Sequence, residues 1–305
     1  MKIAITGATG LIGKKLVNKL LEGGNQIVVL SRSASKAKKI FPEKVEALQW
    51  DSQIENSITD LTILENLDSL IHLAGENVMS KRWNEEHKRN IYDSRVLSTK
   101  NLFAVVSKLN NKPKSFISAS AIGFYDNSIT NVADENSPAG NDFLAKVTLA
   151  WEEEAKKFSQ LNMREIRIRI GIVLDKNGGA LAKLLPVFNM FVGGSIANGK
   201  QFFPWIHIED LVNLFVYAIQ NDSLVGVYNA VSPGIVTMKE FSKTLGKALS
   251  RPTIFTVPAF VLKIIFGEAA YTLINGAKIL PVRTLASGFT FKYDKLKPAL
   301  INLLK

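Results

Sequence analysis

The sequence predicts an α/β fold: a doubly wound parallel sheet with a smaller, mostly helical lobe toward the C-terminus. Three observations predict it. Short apolar runs alternate with helical stretches through the first 170 residues, the signature of repeated βαβ units. A glycine-spaced turn joins the first apolar run to the first helix, in "ITGATGLIGKKL". After Gly171 the texture changes, and glycines and prolines crowd "DKNGGALAKLLP" and "FVGGSIANGKQFFPW". The expected division is therefore a dinucleotide-binding Rossmann domain over residues 1–170, to which 204–231 return. A substrate lobe is expected from 171–203 and 232–305.

Each element follows from local pattern. Lys2–Thr6 is an apolar run ending in a glycine turn and reads as the first strand. Leu11–Glu22 gathers Leu11, Ile12, Leu16, Leu20 and Leu21 on one side and reads as a helix. "NQIVVLSR" is the second strand, stopped by serines, and 45–50 the third. "DSLIHLAG" is the fourth, again ending in glycine. Helical spacing of Ile91, Leu97, Leu102, Val105 and Leu109 predicts one long helix over 85–109. "KSFISAS" is the fifth strand, 143–160 a helix, and "MREIRIRIGIVL" a sixth strand. The rhythm returns in "WIHIEDLVNLFVYAIQ" and "GVYNAV", and the tail from Pro233 reads as mostly helical.

Composition removes several classes of function. The 305 residues contain no cysteine, which excludes disulfides, thiolate catalysis and thiolate metal sites and fits a reducing, cytoplasmic setting. No secretory leader is expected, because glycines break the first apolar run. "VPAFVLKIIFG" is too short to span a bilayer and is interrupted by Lys263, so no membrane partner is expected. The net charge of +11 invites a nucleic-acid reading. Lysines and acids alternate along much of the chain, however, as in "WEEEAKK", which is the pattern of solvated helix faces. No nucleic acid is expected, and the partners are a small-molecule substrate and, at most, a second copy in a homodimer.

The glycine turn carries the first functional inference. Gly7 permits the tight turn, Gly10 lets backbone approach a pyrophosphate, and Gly13 lets helix pack on strand. The helix start at Leu11 and Ile12 offers free N–H groups to phosphate, and Thr9 adds a hydroxyl. A nucleoside-triphosphate loop would need four residues between its glycines and a hydroxyl after the lysine. Gly13-Lys14-Lys15 has neither. The end of the second strand then selects the dinucleotide. An acid there would hold ribose hydroxyls and favour NAD. Ser31 and Arg32 stand there instead, followed by Lys36, Lys38 and Lys39, and a guanidinium suits the 2′-phosphate of NADP(H). Asp51, after the third strand, either meets the adenine edge or closes a turn.

These stretches, with "HLAGENV", a later "RW", "SASAIGFY", "RIGIVLDKNGGAL", "PWIHIEDLV" and "SRPTIFTVPAF", resemble the short-chain dehydrogenase/reductase superfamily. The match is to its atypical, extended branch of epimerase family proteins, which resemble sugar-nucleotide epimerases in fold and bind NADP. The resemblance covers essentially the whole chain. It implies that Leu73, Ala74 and Gly75 lie beneath the adenosine ribose and pyrophosphate. It also implies that Asn90 and Arg95 turn toward the nicotinamide half, and that Val173 touches the ring.

The superfamily's proton-transfer set is a serine or threonine, then a tyrosine and a lysine four residues apart. Ser120 supplies the first. The tyrosine and lysine positions read Phe143 and Val147, and neither transfers a proton. Lys146 is about 100° around the helix. Tyr293 and Lys297 alone repeat the spacing, far along the chain. Tyr125 is the substitute acid in the same loop as Ser120. Glu76 is a candidate base, and Arg82 and Trp83 candidate substrate contacts. His207 reads as structural, with Asp210 capping or beginning the next helix. His72, His87 and His207 lack metal-ligand spacing, so no metal is expected. The expected function is an NADP-dependent oxidoreductase or epimerase-type isomerase acting on a small polar, possibly nucleotide-linked, substrate. The alternative is an NADP-binding sensor or scaffold without turnover.

Overall fold

The computed structural model describes residues 1–58, 60–128, 130 and 132–305. Seven strands form one sheet: β1 Lys2–Thr6, β2 Gln26–Ser31, β3 Glu46–Gln49, β4 Ser69–His72, β5 Ser115–Ala121, β6 Arg164–Ile170 and β7 Gly226–Ala230. Their order is β7-β6-β5-β4-β1-β2-β3, and every pairing is parallel. The direction of winding reverses at β1, which lies between β2 and β4. A ligand crevice therefore opens beyond the C-terminal ends of these three strands.

The helices are α1 Leu11–Glu22, α2 Ala34–Ile40, α3 Glu85–Asp93, α4 Val96–Ser107, α5 Phe143–Lys156, α6 Gly179–Asn189, α7 Ile208–Gln220, α8 Met238–Leu249, α9 Ala259–Phe266, α10 Tyr271–Ile274, α11 Val282–Ala286 and α12 Leu296–Leu304. Successive strand residues face opposite layers. Ile3 and Ile5 pack with Val17, Leu211 and Phe215 from α1 and α7. Ala4, Val28 and Phe116 pack on the other face with Leu102 of α4 and with Phe158. The Phe116 and Phe158 rings stack at 3.6 Å.

Three boundaries depart from the sequence pattern, each for a local reason. The helix expected over 85–109 is two helices, parted at Ser94 and Arg95. Ser94 Oγ accepts the Glu76 N–H at 2.9 Å, and Arg95 donates to the Ile91 and Glu76 carbonyls. The break thus ties the helix pair to the loop after β4. The helix expected to reach Gln160 ends at Lys156, and a 3₁₀ turn, Lys157–Leu161, leads to Asn162 at φ 58°. The sixth strand divides at Gly171, whose N–H goes to Ala230 while that of Ile172 goes to Pro204. Ile172–Asp175 then pairs in parallel with Trp205–His207, outside the main sheet. A Cβ on Gly171 would meet the Pro204 oxygen at 2.6 Å, so this crossing needs glycine.

The sheet holds a neutral histidine. His72 is fully buried, its Nδ1 lies 2.7 Å from Thr6 Oγ1, and burial pushes its pKa down to about 3. Unfolded, the ring titrates near its ordinary 6.5, so between pH 6.5 and 3 the unfolded chain binds the extra proton. Stability from this group is present above pH 6.5 and lost as pH falls, by about 1.4 kcal/mol per unit. Glu165, pushed up to about 7 by burial, has the opposite sign and offsets part of the slope above its ordinary 4.5. Urea unfolding of wild type and His72→Phe at pH 7.0 and 5.0 is expected to show a shallower acid-side loss in the variant. Parallel losses would refute the assignment.

Candidate cofactor site and adjoining cleft

The crevice at the reversal point is a cavity of 510 Å³. Gly7, Thr9, Gly10, Ser31, Arg32, Leu73, Ala74, Gly75, Glu76 and Asn90 line it, all of them singled out by sequence. Gly7 has φ 67°, and a Cβ there would stand 2.6 Å from the Leu73 carbonyl, so turn and β4 close only on glycine. A Cβ on Gly13 would lie 2.5 Å from Ala8 Cα, so α1 packs on the turn for the same reason. Gly10 is the N-cap of α1, and no side chain caps it. The first-turn N–H groups of Leu11 and Ile12 are left for a ligand. Their side chains face elsewhere: Leu11 packs where Gly178 leaves room, and Ile12 on the core.

Arg32 is exposed at the cavity's rim and has no hydrogen-bond or ion-pair partner among the described residues. Two ring nitrogens beside the cavity lack partners. Trp50 Nε1 and His87 Nε2 are buried without a hydrogen-bond partner, and both residues line the cavity. A buried, orphaned donor costs about 1–3 kcal/mol. A polar ligand offering acceptors would recover part of that cost. The lining thus fits a dinucleotide: glycine backbone for diphosphate, a guanidinium at the second strand, and unpaired ring nitrogens in residues of its wall.

Other expected contacts are not in this lining. Asp51 accepts the Gln53 N–H at 3.0 Å and so closes a turn, while its neighbours Trp50, Ser52 and Gln53 line the cavity. Arg95 is committed to the Ile91 and Glu76 carbonyls and lies 5.4 Å over the Trp151 ring. Burial lowers its pKa to about 10, so it stays charged and acts as a brace beneath Gly75. Val173 packs on the core, and its neighbour Ile172 faces the next cavity.

That second cavity, of 610 Å³, lies between the sheet edge and the C-terminal helices. Its wall is largely apolar, with Trp83, Phe143, Ile172, Phe203, Leu273 and Ile279. Trp83 donates to the Val78 carbonyl at 2.7 Å and meets the Phe143 ring edge-on at 5.2 Å. Arg82 is outside this lining, folded against Gly267. Lys88 of α3 reaches across to Glu268 at 2.5 Å.

Of the expected catalytic pair, Tyr125 is part of this wall and Ser120 is not, and both hydroxyls are engaged within the protein. Ser120 Oγ donates to Glu152 at 2.6 Å, and Glu152 also receives Arg169 and Arg167. Tyr125 is buried, and its hydroxyl donates to Asn229 and accepts from Arg169, each at 2.8 Å. Burial raises that phenol to about 12, and both of its hydrogen bonds are already made within the protein. Ser120 lies outside the lining of either cavity, whereas Tyr125 lies in the wall of the second. Both belong to a buried polar network that joins β5, α5, β6 and β7, because a guanidinium enclosed there needs every acceptor it can find. Likewise His207, not Asp210, caps α7, and the Asp210 carboxylate accepts the Lys292 and Tyr293 N–H groups.

Comparison with known proteins agrees with this geometry. Residues 3–168 match the NAD dependent epimerase/dehydratase family, and residues 257–303 match a domain of unknown function, DUF1731. The chain belongs to the NAD dependent epimerase/dehydratase family. The chloroplastic SDR39U1 homologue of Arabidopsis thaliana, an epimerase family protein, is 42% identical over all of this chain and 87% of its own. The crystal structure of human epimerase family protein SDR39U1 with NADPH superposes with a TM-score of 0.88 at 31% identity, covering 99% of each chain. A nucleoside-diphosphate sugar epimerase from Corynebacterium glutamicum gives 0.79 at 30% identity, over all of this chain and 58% of its own.

Within this epimerase-family chain, sequence reading missed Trp50, Ser52, Gln53, Lys81, His87 and Ser94 in the first cavity. It also missed Tyr271 in the second. No spacing marks them, since they come from loop ends and from a helix far along the chain. The break at Ser94 is a signal only in retrospect.

Proposed function

We propose that this chain binds NADPH in the first cavity and uses it to reduce a compact, largely apolar carbonyl compound in the second. The unpartnered Arg32 at the end of β2 carries the choice of cofactor. The bound dinucleotide supplies hydride chemistry. The residues of the chain do the rest. The Gly7–Gly10 turn and α1 hold the diphosphate, Ser31 and Arg32 the 2′-phosphate, and Trp50, Ser52 and Gln53 the adenine end. The apolar wall excludes water and orients the substrate.

The proton donor in this reading is Tyr271 of α10. Its hydroxyl has no hydrogen-bond partner among the described residues, and it lines the cleft. Burial, then the carboxylates of Asp142 and Asp126, raise its pKa, so its phenol is within electrostatic reach of the residue next to Phe143. Other proton carriers in the wall are engaged. Asp142 caps α5, Glu268 pairs with Lys88, and the Tyr125 hydroxyl serves Arg169 and Asn229. Tyr271→Phe is expected to lower NADPH-dependent reduction of apolar aldehydes and ketones by about 10²-fold. Its NADPH affinity should stay as in wild type. Unchanged turnover would remove Tyr271 from the mechanism.

A second reading, a sensor without turnover, is favoured by Phe143 and Val147 at the usual tyrosine and lysine positions. Absence of turnover across apolar and sugar-nucleotide carbonyl panels, with tight NADPH binding retained, would select it. The lack of cysteine suits a reducing compartment, the cytoplasm in the simplest case, under either reading.

A further inference from the structure

We propose that the face built by the turn after α6, the strand Phe255–Val257 and helix α9 docks on an anionic lipid surface. Helix α9 is inverted for a surface helix. Only Lys263 among Ala259–Phe266 is polar, and only Leu262 is buried. Phe260, Ile264 and Ile265 stand in solvent instead of a core. Phe255 pairs with Gly194, two residues from Val192, which brings the exposed Met190 and Phe191 beside the strand. Exposure of the large apolar residues at this face reaches 79% at Ile254 and is 53% at Phe191. Phe191 is also held at φ 63°, a left-handed conformation that costs an aromatic residue energy and puts it at the tip of the turn. Apolar surface gathered in this way marks an interaction site.

Charge chooses the occupant. Residues 232–305 contain eleven lysines and arginines against three acids, +8 of the chain's net +11. Of those acids, Glu240 is committed to the capping box of α8 and Glu268 to Lys88. The basic groups border the apolar face. The Arg251 guanidinium lies 4.5 Å over the Phe191 ring, and Lys263 is on α9 itself. Lys243 and Lys247 are exposed one turn apart on α8, whose Gly246 packs against Arg251 and Thr253. An apolar face rimmed by cations suits the headgroup region of an anionic bilayer. A second copy suits it less, because a two-fold contact would set one basic rim against another. No described helix is long and apolar enough to cross a membrane, and docking in the plane does not require one. The proposed surface departs from the expectation, drawn from the shortness of 257–267, that the chain has no membrane partner.

The test uses the full chain and vesicles of phosphatidylcholine, with or without phosphatidylglycerol. Cosedimentation is expected with the anionic vesicles, not the neutral ones. It should be lost near 1 M salt, where screening acts within roughly 3 Å. The F260S/I264S double variant and the R251E/K263E double variant are each expected to bind at least about tenfold more weakly. Their NADPH affinity and Tm should match wild type, which separates this surface from the cofactor reading. Failure to bind anionic vesicles at low salt would overturn the proposal. So would retention by either variant, or a concentration-dependent wild-type dimer that F260S/I264S abolishes.

Discussion

Arg32→Ala is expected to weaken NADPH binding by about 10- to 100-fold and to leave NADH binding nearly unchanged. The reason is the isolation of this side chain. It lines the cavity at the end of β2, is exposed, and has no partner among the described residues. Its removal therefore breaks nothing within the protein. A charge-assisted hydrogen bond to a phosphate contributes about 1.5–3 kcal/mol, and only NADPH has that phosphate. Fluorescence titration of both nucleotides with wild type and variant is the measurement. Equal wild-type affinities, or an unaltered NADPH affinity in the variant, would contradict the assignment. The preference should also weaken as salt is raised, because the contact is at an exposed rim.

Glu152→Ala is expected to cost about 3–5 kcal/mol of stability. Glu152 is buried and receives Ser120, Arg167 and Arg169, with Arg169 Nε at 2.7 Å. Desolvation opposes its ionisation, yet these partners hold its pKa below the ordinary carboxylate value. Removing the carboxylate deprives the buried Arg169 guanidinium of its only ion pair among the described residues and leaves Arg167 with Glu165 alone. Ser120→Ala removes one neutral donor from the same network and should cost only about 0.5–1.5 kcal/mol. Urea unfolding of both variants measures the difference. A Glu152→Ala chain as stable as wild type would show that the arginines find other acceptors or water. A Ser120→Ala chain that folds and binds NADPH normally but loses turnover would restore the serine to the chemistry.

Both expectations bear on how much the sequence reveals. The positions of Gly7, Gly10, Gly13 and Arg32 are legible because they depend on backbone and on neighbours within one βαβ unit. A left-handed turn, a close approach and a strand-end cation are local facts. The partners of Ser120 and Tyr125 are not legible, because a family motif fixes position along the chain, not the groups that arrive from elsewhere. Arg169 is 44 residues beyond Tyr125, and Asn229 is 104. Nothing near Tyr125 announces that its hydroxyl is already occupied. The contacts of Arg95 are hidden in the same way, since its helix breaks beneath it to reach Glu76.

The sequence by itself determined the parallel α/β architecture, the nucleotide cradle and the guanidinium at its rim. Periodicity, glycine spacing and residue type express short-range sterics and solvation, which act before the chain closes. Only tertiary structure decided which polar groups were consumed by the interior, which residues came together around the cavity, and that Tyr271 came to the cleft from the far end of the chain. Those outcomes depend on long-range packing in a low-dielectric core, where each buried charge takes the partners that the whole fold brings to it.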